Sequence, residues 1–322
     1  WQAWANFAHI IVRCTKKRYM KGAGAVLSDL RSILVIMRAH VQYDYTSHSA
    51  LVFDSGVGGL TIATALRRAA PELSISYAAD TGFFPYGEKS DADLRARLPE
   101  IARLLYDRVR PDVFVIACNT ASTLALSDVR AALPIPVVGT VPAIKPAAEM
   151  SQSGVIGLLA TPGTIRRKYT DWLISEYASD TNVIKLGSIR LVELAEAVAR
   201  GEQPPLSAFA AAQAPLFESP AGKYLDTIVL ACTHFPLARQ QLIDTAPRPI
   251  TYIDSGDAIA RQTLKRLAEN SPRGGGSTAR AYVTSSGQDE LAQVFARFGF
   301  ERTVMLTGSK RYPNAAIRAV TL

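Results

Sequence analysis

The sequence predicts an α/β protein of two pseudo-symmetric lobes, each a mostly parallel sheet flanked by helices. Three observations carry that expectation. Short β-branched and apolar runs alternate with helical periods from Ala50 onward, the pattern of parallel sheets covered on both faces. Two segments repeat each other, VFVIACNTAST around Cys118 and TIVLACTHFPL around Cys232, with the cysteines 114 residues apart. Polar residues gather where predicted strands end: Asp54-Ser55, Asp80-Thr81, Cys118-Asn119-Thr120 and Cys232-Thr233-His234. Open α/β sheets hold their ligands beyond those ends.

The elements follow in order. ALVFD (50–54) reads as a buried strand, SGVGG as a loop, and LTIATALRRAA as an amphipathic helix ended by Pro71. SISYAAD (74–80) is the second strand. The loop TGFFPYGEKS leads into a helix over about 91–109, closed by Pro111. DVFVIACN is a strand, TASTLALSDVRAAL a helix and IPVVGT a strand, followed by VPAIKPAAEM. The pattern then restarts. SGVIGLLAT is a strand, and PGTIRRKYTDWLISEYA a helix with Pro162 and Gly163 at its opening. NVIKLGS is a strand, RLVELAEAVARG a helix, and GEQPPLS a loop. TIVLACT, PLARQQLIDTA, PITYIDS and GDAIARQTLKRLAEN continue the alternation. After the flexible run ENSPRGGGST, ARAYVTSS and RTVMLTG read as closing strands around the helix QDELAQVFARFG. The reading divides the chain into a leader (1–47), a first lobe (48–142 plus 250–322) and a second lobe (143–249), with the active site between the lobes.

Composition narrows the function. The leader carries +5 of the net +8, so the remaining residues are close to neutral. No basic stripe interleaved with aromatics is present, and nucleic acid is not expected as a partner. No run of eighteen apolar residues is free of charge, so no membrane span is indicated. The leader reads as disordered or non-native, with Met37 as a candidate start. Expression from Met37 with full activity supports that reading, and an insoluble product contradicts it. Three cysteines in 322 residues make no disulfide framework, and the expected compartment is the reducing cytoplasm. The sequence leaves oligomeric state open; a homodimer is compatible with it.

The chemistry centres on thiols. One cysteine at a strand end in each of two similar halves suits moving a proton off one face of a carbon and onto the other. A free thiol has a pKa near ~8.5 and needs help to become a base. Both cysteines directly precede a predicted helix, whose N–H groups stabilise an anion. His234, the only histidine beyond residue 48, stands positioned to tune or protonate Cys232. Asp54 is a candidate to orient a substrate ammonium or assist Cys118, with helix capping as its ordinary alternative; for Asp80 capping is ahead. Tyr86 also reads as an ordinary turn aromatic, and Glu193 as a solvated charge. Zinc on Cys118, Cys232 and His234 lacks the usual ligand spacing, so no metal is expected. The loop Gly56–Gly59 suggests a dinucleotide site, but the third glycine of G-x-G-x-x-G is replaced by Thr61. GEKS (87–90) lacks the rest of a phosphate loop. A NAD-dependent oxidoreductase and a two-lobed amino-acid binding protein are the rival readings.

With FDSGVGGLT, DTGFFPYGEKS, ACNTAST, VVGTVPAIKPA, GLLATPGTI and LACTHFPL in order, the chain closely resembles the glutamate racemases from about Leu51 to Gly308. The leader lies outside the likeness, and Gly82-Phe83-Phe84 departs from the family pattern. The resemblance implies cofactor-independent interconversion of L- and D-glutamate, supplying D-glutamate for peptidoglycan, with substrate held between the lobes. It implies that Cys118 takes the proton from D-glutamate and Cys232 from L-glutamate. Asp54, Ser55, Tyr86, Gly87, Asn119, Thr120 and Thr233 then contact substrate, Asp54 assists Cys118 and His234 assists Cys232. Asp80 and Glu193 match further acidic positions with supporting roles. Aspartate is the nearest alternative substrate.

Overall fold

The computed structural model describes residues 43–272, 279–286 and 289–306. The leader expected over 1–47 lies outside the described residues as far as residue 42. From Tyr45 the chain forms one compact unit built on two parallel sheets.

The first sheet contains β1 (Ser49–Asp54), β2 (Ser74–Ala79), β3 (Val113–Ile116) and β4 (Val137–Gly139). The second contains β5 (Val155–Ala160), β6 (Asn182–Gly187), β7 (Thr227–Leu230) and β8 (Thr251–Ile253). The chain then returns to the first sheet with β9 (Arg280–Val283) and β10 (Arg302–Met305). The orders are β10-β9-β2-β1-β3-β4 and β6-β5-β7-β8, and every described ladder is parallel. The run β2-β1-β3-β4 repeats as β6-β5-β7-β8, so the repeat seen around the cysteines is a repeat of whole topology. The second sheet extends past residue 249, where the sequence reading placed the crossing back. Thr251–Ile253 still pairs with β7, and the helix Gly256–Ala268 is the element that packs on the first lobe. Strand pairing depends on a distant partner, which the local pattern of PITYIDS does not reveal.

Both faces of each sheet are covered. Along β1, Ala50 and Val52 enter one apolar cluster while Leu51 and Phe53 enter the opposite one. β3 divides in the same way, Val113 and Val115 against Phe114 and Ile116. In the second sheet Ile228 and Leu230 face one cluster and Val229 the other. Successive strand residues point to opposite faces, so a strand buried on both sides must be apolar throughout. That is why VFVI and TIVL show no alternation.

Two helices were not anticipated. Ile144–Met150 follows Pro142. Leu206–Glu218 is alanine-rich, carries Pro215 and buries only Phe209, Gln213 and Leu216, so its apolar period is faint. Among the described residues no helix is long and apolar enough to cross a membrane.

Candidate active site

Each half has a topological switch point, where successive connections leave to opposite sides of one strand. In the first sheet it lies between β1 and β3, in the second between β5 and β7. Asp54 ends β1 and Cys118 follows β3; Thr161 follows β5 and Cys232 follows β7. These crevices are where α/β sheets bind ligands, and here the two meet. Ser55, Tyr86, Gly87, Cys118, Asn119 and Thr120 from the first lobe line one pocket with Thr161, Cys232, Thr233 and His234 from the second. Its empty space is about 360 Å³ counted out to the mouth.

The seam is held by matching contacts. Thr233 Oγ1 donates to Asp54 Oδ2 at 3.0 Å. At the corresponding place in the other half, Thr120 Oγ1 lies 3.2 Å from Thr161 Oγ1. Gly58 brings the loop after β1 against the second lobe: a Cβ there would stand 2.5 Å from His234 Nδ1 and 2.7 Å from the His234 backbone nitrogen. The glycine-rich loop therefore packs on Thr233-His234, which leaves no cradle for a dinucleotide phosphate at Gly58.

The two thiols have different surroundings. Cys118 is buried and caps the helix Asn119–Ala132. Burial raises its pKa well above the ordinary thiol value, and the negative charge of Asp54 adds to the rise. The N–H groups of Ala121 and Thr120 oppose it, as expected of a helix N-terminus. Cys232 is equally buried, but no α-helix begins beside it. The chain passes into a 3₁₀ turn, Phe235–Ala238, and the helix Arg239–Thr245 starts only afterwards. The expectation that both thiols face a helix N-terminus is thus corrected for Cys232. Cys232 instead has an imidazole: His234 Nδ1 lies 3.8 Å from its Sγ.

His234 is backed by an acid that the sequence reading missed. Glu196 Oε1 lies 2.7 Å from His234 Nε2 and also accepts the Val57 N–H at 3.3 Å. Burial works to raise the pKa of Glu196, but the hydrogen bond and charge of His234, with Val57 N–H and Arg200, hold it below the ordinary carboxylate value. Burial works to lower that of His234; hydrogen bonds to Cys232 and Glu196 and their charges hold it well above the ordinary imidazole value. The expected supporting acid, Glu193, is exposed and pairs with Arg190 at 2.8 Å. The signal for Glu196 was its place on the stripe Val192, Ala195, Glu196, Ala199, an apolar helix face interrupted by one carboxylate.

Asp54 is fully buried behind the pocket, accepting Ser55 N–H at 2.8 Å, Gly59 N–H and the Thr233 hydroxyl. Burial raises its pKa, opposed by the charge of His234 and by these donors. Asp80 lies deeper in the first lobe. It takes two hydrogen bonds from Arg97, at 2.6 and 2.7 Å, one from the Tyr86 hydroxyl at 2.6 Å and one from Thr284 at 2.6 Å. Because the Tyr86 hydroxyl is used there, Asp80 fixes the Tyr86-Gly87 loop. Phe84, in the stretch that departs from the family pattern, also lines the pocket and packs on the His234 ring. The Asn119 Oδ1 is buried in the pocket wall without a hydrogen-bond partner. It is an acceptor suited to a ligand N–H. No group of three or more His, Cys, Asp and Glu suited to a metal ion occurs among the described residues.

Residues 60–263 match the model of the Asp/Glu/hydantoin racemases. The chain belongs to that family. It is an amino-acid racemase, an isomerase. It is 44% identical over 256 residues to the glutamate racemase of Salmonella gallinarum, covering 79% of this chain and 90% of that one. The crystal structure of Escherichia coli glutamate racemase with L-glutamate and the activator UDP-MurNAc-ala superposes with a TM-score of 0.77 at 41% identity, covering 80% of this chain and 98% of that one. The Thermus thermophilus glutamate racemase in complex with beta-chloro-D-alanine superposes with a TM-score of 0.65 at 28% identity, over 84% and 100%. The racemase fold therefore spans both sheets.

Proposed function

We propose that this racemase interconverts L- and D-glutamate by a two-base mechanism without a cofactor, in the cytoplasm, and so supplies D-glutamate for peptidoglycan. The observation that carries the reading is the delivery of Cys118 and Cys232 from equivalent strand ends of the two halves to one buried pocket. The named relatives and the L-glutamate bound in the E. coli enzyme support the choice of substrate.

In one direction the Cys118 thiolate takes the Cα proton of D-glutamate and becomes a thiol. The Cys232 thiol then gives its proton to the opposite face of the carbanion, forming L-glutamate and leaving a thiolate beside His234. The reverse reaction begins from that Cys232 thiolate. The proton on His234, fixed by Glu196, stabilises the Cys232 thiolate; the helix N–H groups do so at Cys118. No lysine or arginine lines the pocket. Charge developing on the substrate is therefore met by hydrogen-bond donors of the strand-end loops. Placed proton transfer contributes roughly 10²–10⁴-fold.

The test is L-glutamate in D₂O, followed by NMR for exchange at Cα and by circular dichroism for loss of optical activity, with aspartate in parallel. Glutamate is expected to exchange and racemise, and aspartate to lag. Binding without exchange would eliminate the reading. Cys118→Ala and Cys232→Ala are each expected to abolish racemisation while leaving the fold intact, and near-normal turnover in either would eliminate the mechanism.

A further inference from the structure

A second cleft opens on the same seam. Its empty space, counted out to the mouth as for the catalytic pocket, is about 1210 Å³, and it is lined from the first lobe by Lys89, Asp91, Arg95 and Thr123, and from the second by Arg166, Arg167 and Lys168. It adjoins the catalytic pocket. Thr123 lies one helical turn beyond Asn119 and Thr120. Gly163, in the cleft wall, lies so close to Gly87 of the pocket wall that a Cβ there would stand 3.2 Å from the Gly87 carbonyl oxygen.

Its charge is lopsided. Five cationic side chains face one carboxylate, Asp91, and that carboxylate is taken by Arg167 at 2.9 Å. Arg95 is shared with Asp128 at its edge. Arg167 is buried, and its Nε has no hydrogen-bond partner, a guanidinium short of one acceptor. Two helices, Asp91–Val109 and Lys168–Tyr177, begin at the cleft, and their N-termini add partial positive charge. The catalytic pocket, by contrast, contains no lysine or arginine. Its one cationic side chain, His234, is paired with Glu196 at 2.7 Å, so long-range attraction for an anionic substrate falls to groups outside the pocket.

We propose that this basic cleft is the outer anion station of the racemase, where a dicarboxylate amino acid is gathered before it passes between the lobes. The proposal rests on the glutamate reading above. Clefts lined by one sign of charge raise encounter rates by 10–10³; for a singly charged substrate and partly exposed groups the lower end of that range applies.

The test is charge reversal in the full-length enzyme with Arg166→Glu/Lys168→Glu. Both side chains are exposed. Glutamate at the start of the helix Lys168–Tyr177 suits its dipole, so the variant is expected to fold. Lys223→Glu/Lys265→Glu, which changes net charge equally outside the cleft, is the comparison. Glutamate racemisation is measured between about 20 mM and 0.5 M salt, where the screening length falls from roughly 20 Å to about 4 Å. At low salt the cleft variant is expected to lose about three- to tenfold in kcat/KM with kcat unchanged, and the difference closes at high salt. The comparison variant stays within twofold of the wild type. Equal kcat/KM for cleft variant and wild type at low salt would overturn the proposal, as would a deficit that persists at high salt. Absence of glutamate racemisation by the wild type is the separate failure of the underlying reading.

Discussion

Glu196→Gln is the substitution that isolates how one thiol of the pair is tuned. Gln keeps an oxygen to accept the Val57 N–H and fills nearly the same volume, but it removes the negative charge from beside His234 Nε2, 2.7 Å away in the structure. The same Oε1 accepts from Val57 and pairs with His234, so the bond to His234 persists but becomes neutral: about 0.5–1.5 kcal/mol in place of about 1.5–3, a loss of about 1–1.5 kcal/mol, or roughly five- to tenfold at 1.36 kcal/mol per factor of ten. His234 in the variant therefore gives up its proton at lower pH than in the wild type. The Cys232 thiolate loses its cation more readily, and kcat/KM is expected to fall about five- to tenfold. The two enantiomers have equal free energy, so kcat/KM must fall equally in both directions, and asymmetry has to be sought in isotope effects. With Cα-deuterated L-glutamate, whose deuteron Cys232 removes, the primary isotope effect is expected to approach its full value. With deuterated D-glutamate, removal by Cys118 becomes a reversible step before a slower one, and the effect shrinks. Isotope effects that change equally for both enantiomers would refute the assignment of Glu196 and His234 to Cys232.

The same pair gives a pH signature in stability. The pKa of Glu196 is depressed from its ordinary 4.5, so its contribution is present above that value and is lost as pH falls through the lower folded-state value. The pKa of His234 is raised from 6.5, so its contribution is full below 6.5 and is lost as pH rises through the higher folded-state value. Urea denaturation of wild type and Glu196→Gln is expected to differ most between about pH 4.5 and 6.5 and to converge on either side. Asp80→Ala leaves the largely buried Arg97 and the hydroxyls of Tyr86 and Thr284 without their acceptor. Breaking such a pair costs about 3–5 kcal/mol, and KM is expected to rise as the Tyr86-Gly87 loop loosens; a stability loss under about 1 kcal/mol would contradict the anchoring role. Gly58→Ala places a methyl 2.5–2.7 Å from Thr233 and His234. Overpacking of this kind costs about 1–3 kcal/mol, and kcat/KM is expected to drop at least tenfold. Gly154→Ala meets no neighbouring atom, but Gly154 stands in the left-handed region at φ +69°, so the variant is expected to lose about 1–2 kcal/mol of stability while activity of the folded enzyme stays unchanged, which urea denaturation and a parallel assay would show.

The sequence by itself determined the fold class, the repeat, and the strand-end groups Cys118-Asn119-Thr120 and Cys232-Thr233-His234. Those features are local. A doubly covered strand must be apolar along its length, and a residue at its carboxyl end is placed by the strand itself. Tertiary structure decided what depends on how the lobes meet. Glu193 and Glu196 differ by three helical positions, about 60° around the axis at 3.6 residues per turn. That angle sends one to solvent with Arg190 and the other into the seam against His234. Phe84 was legible only as a departure from a pattern, and its place on the His234 ring requires the two sheets together. The cysteines, near twins in their strands, became unequal for the same reason. One is served by the N–H groups of its own helix, and the other by an imidazole whose acid partner lies 38 residues back along the chain.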